Sequence, residues 1–327
     1  VTGPEEALRA AGLLSAGTAV ALAWSTPATG PRTWCSGRLA GRPVDPATPF
    51  YVASVTKQLV GVLAAQQVGA GRLDPDVPVR SLLPRLPAWA ADVGVRHLLH
   101  HTSGLPGTDR VLMAAGVGEA ELTNADVLDA LAALDGPEAP PGRAFAYSNV
   151  GYVVLAEALV ALTATELPVL ARRQVLAPLG LAGGLGPGPA GTPSGRRPPR
   201  TLGDGGWWTG AADLLRWLEA LDAGRLGADV SARVRTPGRL DDGRPLTYGW
   251  GVTVHADGTL THGGSWPGWT AKTVRHPATR TALALLTTSD DADAVSRVAL
   301  ALHAQLVAGA SSQASSRSSS VRRPDAP

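Results

Sequence analysis

Two periods of apolar positions run through the chain and divide it into strand-rich ends and a helical middle. Residues 18–25 (TAVALAWS) form a short, nearly unbroken apolar run and predict a buried strand. Residues 33–39 can pair with it across the Pro- and Gly-rich turn at 27–31. Phe50, Tyr51, Val52 and Ala53 then lead into Ser54. From there a helical pattern, SVTKQLVGVLAAQQV, extends to Val68 and is stopped by Gly69 and Gly71. Residues 73–181 read mainly as helix broken by Pro-rich turns, most clearly at 124–134 and 151–162. Residues 178–200 are dense in Gly, Pro and Arg and predict a long surface loop. Thr209 is the expected N-cap of a helix over 210–221. After Thr247 the pattern shortens to strands at 248–255, 259–264, 270–276 and 281–288, with turns at Asp257-Gly258 and Pro277. A helix over 292–307 follows, and the Ser- and Arg-rich tail 311–327 is expected to be disordered.

The two strand-rich ends have to meet in one antiparallel sheet with helices on its faces. The predicted fold is α/β in the α+β sense. Residues 1–72 and 205–310 form a mixed sheet domain, residues 73–204 an inserted all-helical domain, and the functional groove lies between them. At 327 residues with 44% hydrophobic and 17% charged positions, the composition is that of a globular protein. A net charge of +2 with scattered basic residues gives no case for a nucleic-acid partner. The single cysteine, Cys35, excludes an intrachain disulfide and reads as a small apolar core residue. No apolar stretch approaches bilayer length, so no membrane span is expected. Glu5 and Glu6 precede only a short apolar run, so no signal peptide is expected and the location predicted is cytoplasmic. The pattern says nothing about oligomeric state.

Lysine is nearly absent: Lys57 and Lys272 are the only two among 29 basic residues. A lysine can give up its proton when desolvated, whereas arginine effectively cannot. Ser54 and Lys57 stand three apart on a helix, hence on one face, so hydroxyl and amine can meet. A serine hydroxyl needs such a neighbouring base to become nucleophilic. The bland alternative is an N-cap serine followed by a solvated lysine. A second group, Tyr147-Ser148-Asn149, offers a phenol able to relay a proton and an amide able to hold a carbonyl or bond the lysine. Taken alone it reads first as ordinary turn chemistry before the helix at Gly151. A third, Thr261-His262-Gly263-Gly264-Ser265, puts paired glycines on a strand edge, where a substrate can approach the backbone and amides can complete an oxyanion hole with the amide of Ser54. His262 there could donate to a carboxylate or to Tyr147, or the segment could be a simple bulge.

These three groups, in this order, resemble the serine β-lactamase and penicillin-binding-protein-like family, in its class C, D,D-carboxypeptidase and esterase branch. Ser54-x-x-Lys57 and Tyr147-x-Asn149 are its first two motifs. The flanking segments FYVASVTK, VRHLLHHTSGLPG, AFAYSNVGY and Tyr248-Gly249-Trp250-Gly251 are similar as well, so the resemblance spans residues 18–307. It implies a β-lactamase/transpeptidase-like fold and an acyl-enzyme mechanism on a small-molecule ester, amide or lactam. Ser54 would be acylated, and Lys57 would be its base or the group keeping Tyr147 deprotonated. Tyr147 would shuttle the proton, Asn149 would bind substrate, and the amides of Ser54 and Ser265 would hold the oxyanion. No cofactor or metal is implied.

One departure matters. The third motif of penicillin-recognising members is usually Lys-Thr-Gly, and here it is His262-Gly263-Gly264. A histidine is a weaker, pH-dependent cation for a carboxylate, which favours an esterase or peptidase over a true β-lactamase. The rival reading is a non-catalytic ligand-binding or penicillin-sensing module on the same fold. His97, His100 and His101 lack a zinc-site signature and are expected to be structural. Trp207 and Trp208 read equally as pocket wall or core, while Trp266 and Trp269 have the better claim to the cleft.

Overall fold

The computed structural model describes residues 3–186 and 192–320, the last nine by backbone alone. A short helix α1 (Pro4–Ala10) precedes strands β1 (Val20–Thr26) and β2 (Gly30–Ser36), which form a hairpin with Val20 opposite Ser36. β3 (Phe50–Tyr51) leads through the 3-10 turn Ala53–Val55 into helix α2 (Thr56–Gly69). The helical middle contains α3 (Val95–Leu99), α4 (Asn124–Ala133) and α5 (Asn149–Thr163). The chain returns through β4 (Trp207–Thr209) and α6 (Ala211–Asp222) to strands β5 (Thr253–Val254), β6 (Leu260–Trp266), β7 (Trp269–His276) and β8 (Thr281–Thr287). It closes with α7 (Ala292–Ser320).

The ends do meet. The main sheet is antiparallel, in the order β2-β1-β8-β7-β6-β5, and β1 pairs with β8 from Val20–Thr287 to Ser25–Ala282. Side chains alternate across a strand, so each strand serves two cores. Ala21, Ala23, Ala282, Ala284 and Leu286 face α6 and the helical middle, and the small side chains there let α6 lie close. Val20, Leu22, Val274, Leu283 and Leu285 face the other way, against α1 and α7. Helix α2 is buried on nearly every side, its polar Thr56, Lys57, Gln58 and Gln67 included. Cys35 is half-buried and packs against the first core.

Four sequence expectations change. Thr209 is not the N-cap of α6: it pairs with Phe50 at the end of β4, and Gly210 occupies the cap position. Of the strand expected at 248–255, only Thr253–Val254 pairs regularly with β6. The loop expected at 178–200 contains a short strand, Gly184–Leu185, paired with β4, and its residues 187–191 lie outside the described residues. Helix α7 continues to Ser320 rather than ending near 307, because residues 310–320 contain no Gly or Pro to stop it. Residues 321–327 lie outside the described part. Among the described residues one unbroken helical stretch, Ala292–Ser311, is long and apolar enough to cross a membrane, with a mean hydropathy of 1.2. In this fold Ala294, Val295, Val298, Ala299 and Leu302 seat it on the sheet.

Candidate active site

The turn that carries Ser54 is strained. Ala53 has φ 45°, a left-handed conformation that non-glycine residues rarely adopt. Two bonds hold it: Val52 N donates to Trp207 O at 3.1 Å, and the Thr56 hydroxyl donates to Ala53 O at 2.6 Å. Ser54 thus projects from the entrance of α2, and Lys57 follows on the first turn of that helix, fully buried. The Lys57 Nζ donates to Ser54 Oγ at 3.0 Å, to Asn149 Oδ1 at 2.8 Å and to the backbone carbonyl of Asp204 at 3.0 Å. Three acceptors match the three N–H bonds of an ammonium.

Asn149 reaches the lysine because it opens α5. Ser148 caps that helix, its hydroxyl accepting from Gly151 N at 2.9 Å. The Tyr147 ring stands at the mouth of the site, 48% exposed, with Lys57 Nζ 4.9 Å from its centroid. Ser54, Lys57, Tyr147 and Asn149, drawn from stretches about ninety residues apart in the sequence, therefore converge.

His101 holds this second group in place. Its carbonyl accepts from Ala146 N at 2.8 Å, its Nδ1 accepts from Ser148 N at 3.0 Å, and its ring stacks on Tyr147 with centroids 4.3 Å apart. Three consecutive residues are thus gripped by one imidazole-bearing residue. Since Nδ1 accepts, the ring proton sits on Nε2. Burial, with the Lys57 charge adding to it, pushes the His101 pKa down to about 2. His100 braces the neighbouring segment: its Nδ1 donates to Tyr248 O at 2.9 Å and its Nε2 accepts from Trp250 Nε1 at 3.2 Å. His97 Nδ1 accepts from Gly94 N at 3.0 Å.

The third motif lies on β6. Gly264 packs directly on the nucleophile turn: a methyl group there would overlap Val52 O and lie 2.9 Å from Ser54 N. Gly263 sits opposite Lys272 of β7, and Ser265 is exposed on the far side of the contact. His262 is 6% exposed. Its Nδ1 donates to Gly263 O at 2.7 Å, so its Nε2 accepts from the Tyr248 hydroxyl at 2.9 Å. It bonds neither Tyr147 nor an open carboxylate position, which corrects the role expected for it. Burial, then the Lys57 charge, lowers its pKa to about 3, so it is neutral at ordinary pH. The Tyr248-Gly249-Trp250-Gly251 segment has its own reason: Gly251, at φ 83°, lies flat against the backbone of Lys57 and Gln58.

The tryptophans sort differently from expectation. Trp207 and Trp269 are core residues, 0% and 1% exposed. Trp208 packs between Tyr51 and Trp269, with its Nε1 on Gly186 O at 3.0 Å. Trp266 is half-buried against the core, with the Arg196 guanidinium 5.6 Å from its ring. The sequence alone does not single out Asp204 or the grip of His101, and it offers Tyr248 only as part of a flanking segment. The glycines around Asp204, at 203, 205 and 206, were the available signal of a close backbone approach.

The Beta-lactamase family model matches residues 28–308. Among characterised proteins, the chain is 44% identical to the esterase EstB of Burkholderia gladioli over 73 residues, 21% of this chain and 19% of that one. It spans between 19% and 63% of the length of five curated relatives. Among solved structures, a penicillin-binding protein from Bacillus halodurans superposes with a TM-score of 0.77 at 21% identity, covering 93% of this chain and 100% of that one. The D-amino acid amidase of Ochrobactrum anthropi SV3 gives 0.76 at 22% identity, covering 96% and 99%. At these identities the structural likeness concerns the fold. With the family match covering most of the chain and the motif residues gathered around one buried lysine, the chain belongs to the β-lactamase family.

Proposed function

We propose that this protein is a serine hydrolase that forms an acyl-enzyme on small-molecule esters or amides. The observation that carries the reading is the 3.0 Å contact between Ser54 Oγ and a fully buried Lys57 Nζ. The other two partners of Nζ, Asn149 Oδ1 and Asp204 O, are oxygens that only accept. Once Lys57 gives up a proton, its lone pair therefore has one useful direction, toward the Ser54 hydroxyl. Ser54 then passes its proton to Nζ as Oγ bonds the carbonyl carbon. Tyr147, stacked by His101 over the amine, returns a proton to the leaving group and later draws one from the deacylating water. The amide of Ser54 and the exposed edge of β6 at Ser265 hold the oxyanion, with Gly264 setting their separation.

The neutral, internally bonded His262 supports ester or amide hydrolysis over β-lactam recognition, because it offers no charge to a substrate carboxylate. Relatives named as an esterase and a D-aminopeptidase support the same class. We also propose the domain division read from the sequence, a sheet domain of residues 1–72 and 205–310 enclosing a helical domain of residues 73–204. The test is parallel kinetics on short-chain nitrophenyl esters and a chromogenic cephalosporin. A burst followed by steady ester turnover is expected. A lasting stoichiometric adduct with no turnover of any ester would instead indicate a binding or sensing module.

A further inference from the structure

Residues 145–148 run as an extended segment along His101. Ala146 N donates to His101 O at 2.8 Å, Ser148 N donates to His101 Nδ1 at 3.0 Å, and Ser148 itself has φ −132° and ψ 118°. Side chains two apart on an extended chain project from one face, about 7 Å from each other. Phe145 and Tyr147 are therefore neighbours on the face that carries the phenol. Their contacts agree. The Phe145 ring meets the His101 ring edge-on at 5.8 Å and the Tyr248 ring at 6.0 Å. The Tyr147 ring lies 4.3 Å from His101 and 6.4 Å from Tyr248. His101 and Tyr248 are both buried, and together they form a base from which the two other rings stand out.

Phe145 is 45% exposed, whereas the other phenylalanine, Phe50, is 1% exposed. Among the described residues, Phe145 and Tyr147 are the two aromatic side chains that remain exposed. For Tyr147 the exposure has a chemical reason, since its hydroxyl has to reach the reacting atoms. Phe145 has no polar atom to present there. What an exposed ring offers is an apolar surface on which a second ring can pack.

We propose that Phe145 is a specificity residue that receives the leaving group, and that the preferred substrates are esters or amides whose leaving alcohol or amine carries an aromatic ring. The inference rests on the role proposed for Tyr147. Ser54 Oγ bonds the carbonyl carbon; when that adduct collapses, the bond to the leaving oxygen or nitrogen breaks with its electron pair on the leaving atom, and the Tyr147 hydroxyl gives that atom a proton. The leaving atom is therefore held at Tyr147, and a ring one or two bonds beyond it reaches the exposed part of Phe145. The acyl part stays bonded to Ser54 on the other side of the breaking bond, so the leaving group alone makes this contact.

Benzyl butyrate and ethyl butyrate test it, because both release primary alcohols and both leave the same butyryl-enzyme behind. In Phe145→Ala the benzyl-over-ethyl ratio of kcat/KM should fall about tenfold, with the fall in the acylation burst. Phe145→Tyr, which keeps the ring, should restore the ratio. An unchanged ratio in Phe145→Ala, with equal losses on the two esters or none, overturns the proposal. A second measurement needs no turnover. The ¹⁹F resonance of para-fluorobenzyl alcohol should broaden on titration with the parent and with Ser54→Ala, and much less with Phe145→Ala; equal broadening in all three overturns the proposal. A chain that hydrolyses no ester refutes the proposed function and leaves the ¹⁹F titration to decide this one.

Discussion

Replacing Gly264 by alanine tests whether the close contact of β6 with the nucleophile turn is what makes the site. The backbone at Gly264 has an ordinary, negative φ, so the substitution acts by volume alone. The new methyl group would overlap Val52 O and crowd Ser54 N. Ordinary contact distances require the strand to retreat by about 1 Å. Overpacking of this kind costs about 1–3 kcal/mol of stability, a loss that thermal unfolding detects without abolishing the fold. The catalytic cost is larger, because the retreat pulls the edge of β6 away from the Ser54 amide. Losing one oxyanion donor lowers the rate by about 10²–10³. The assay is the pre-steady-state burst on a nitrophenyl ester, read beside the melting curve. A slowed burst with a melting temperature only a few degrees lower is the expected result. A burst rate within about threefold of the parent, in protein that carries the methyl group, refutes the assignment of β6 to the oxyanion site.

Three other perturbations probe separate parts of the account. Arg275 and Asp222 form a buried ion pair between β7 and the end of α6, with the arginine side chain 3% exposed; Asp222→Ala should destabilise by about 3–5 kcal/mol in urea unfolding, because it strands a buried guanidinium. Acid should weaken the fold before it protonates the site. His101 and His262 are depressed to about 2 and about 3 from 6.5, so below pH 6.5 the unfolded chain binds protons that the native chain does not. Stability is then full above that pH and falls as pH drops toward 3, by up to about 1.4 kcal/mol per unit for each histidine. Urea midpoints at pH 7, 5 and 4 measure this, and midpoints that do not move would contradict it. His101→Leu removes the bond to Ser148 N and the stack on Tyr147; a drop in kcat of about 10²-fold with a smaller change in KM is expected, whereas an unchanged kcat would show that Tyr147 is held by other means.

How much of this was legible beforehand depended on the range of the interactions. Ser54 and Lys57 are three residues apart on one helix, so helical geometry alone places hydroxyl and amine together. Tyr147 and Asn149 could be joined to them only by resemblance, since their approach depends on α5 packing against α2. The strands at 20–26, 260–266, 269–276 and 281–287 follow from local pattern, and their union in one sheet follows from the need to cover apolar faces. His262 departs from the role its sequence position suggests, for a physical reason. Its chemistry is decided by Tyr248 and Gly263 O, and no local signal tells a buried, doubly bonded imidazole from a free one. Its place just after the third motif gives Trp269 a claim to the cleft, yet it lies one strand further on and points into the core against Phe50. The end of α7 differs from expectation because serine-rich composition suggests disorder while containing nothing that stops a helix.

The central claim is that Ser54 is the atom that becomes acylated. Intact-mass spectrometry after a fluorophosphonate probe, followed by peptide mapping, addresses it directly. One adduct per chain on the peptide containing Ser54 is expected, with neither adduct nor ester turnover in Ser54→Ala. An adduct on a different serine, or undiminished hydrolysis by Ser54→Ala, would contradict the account.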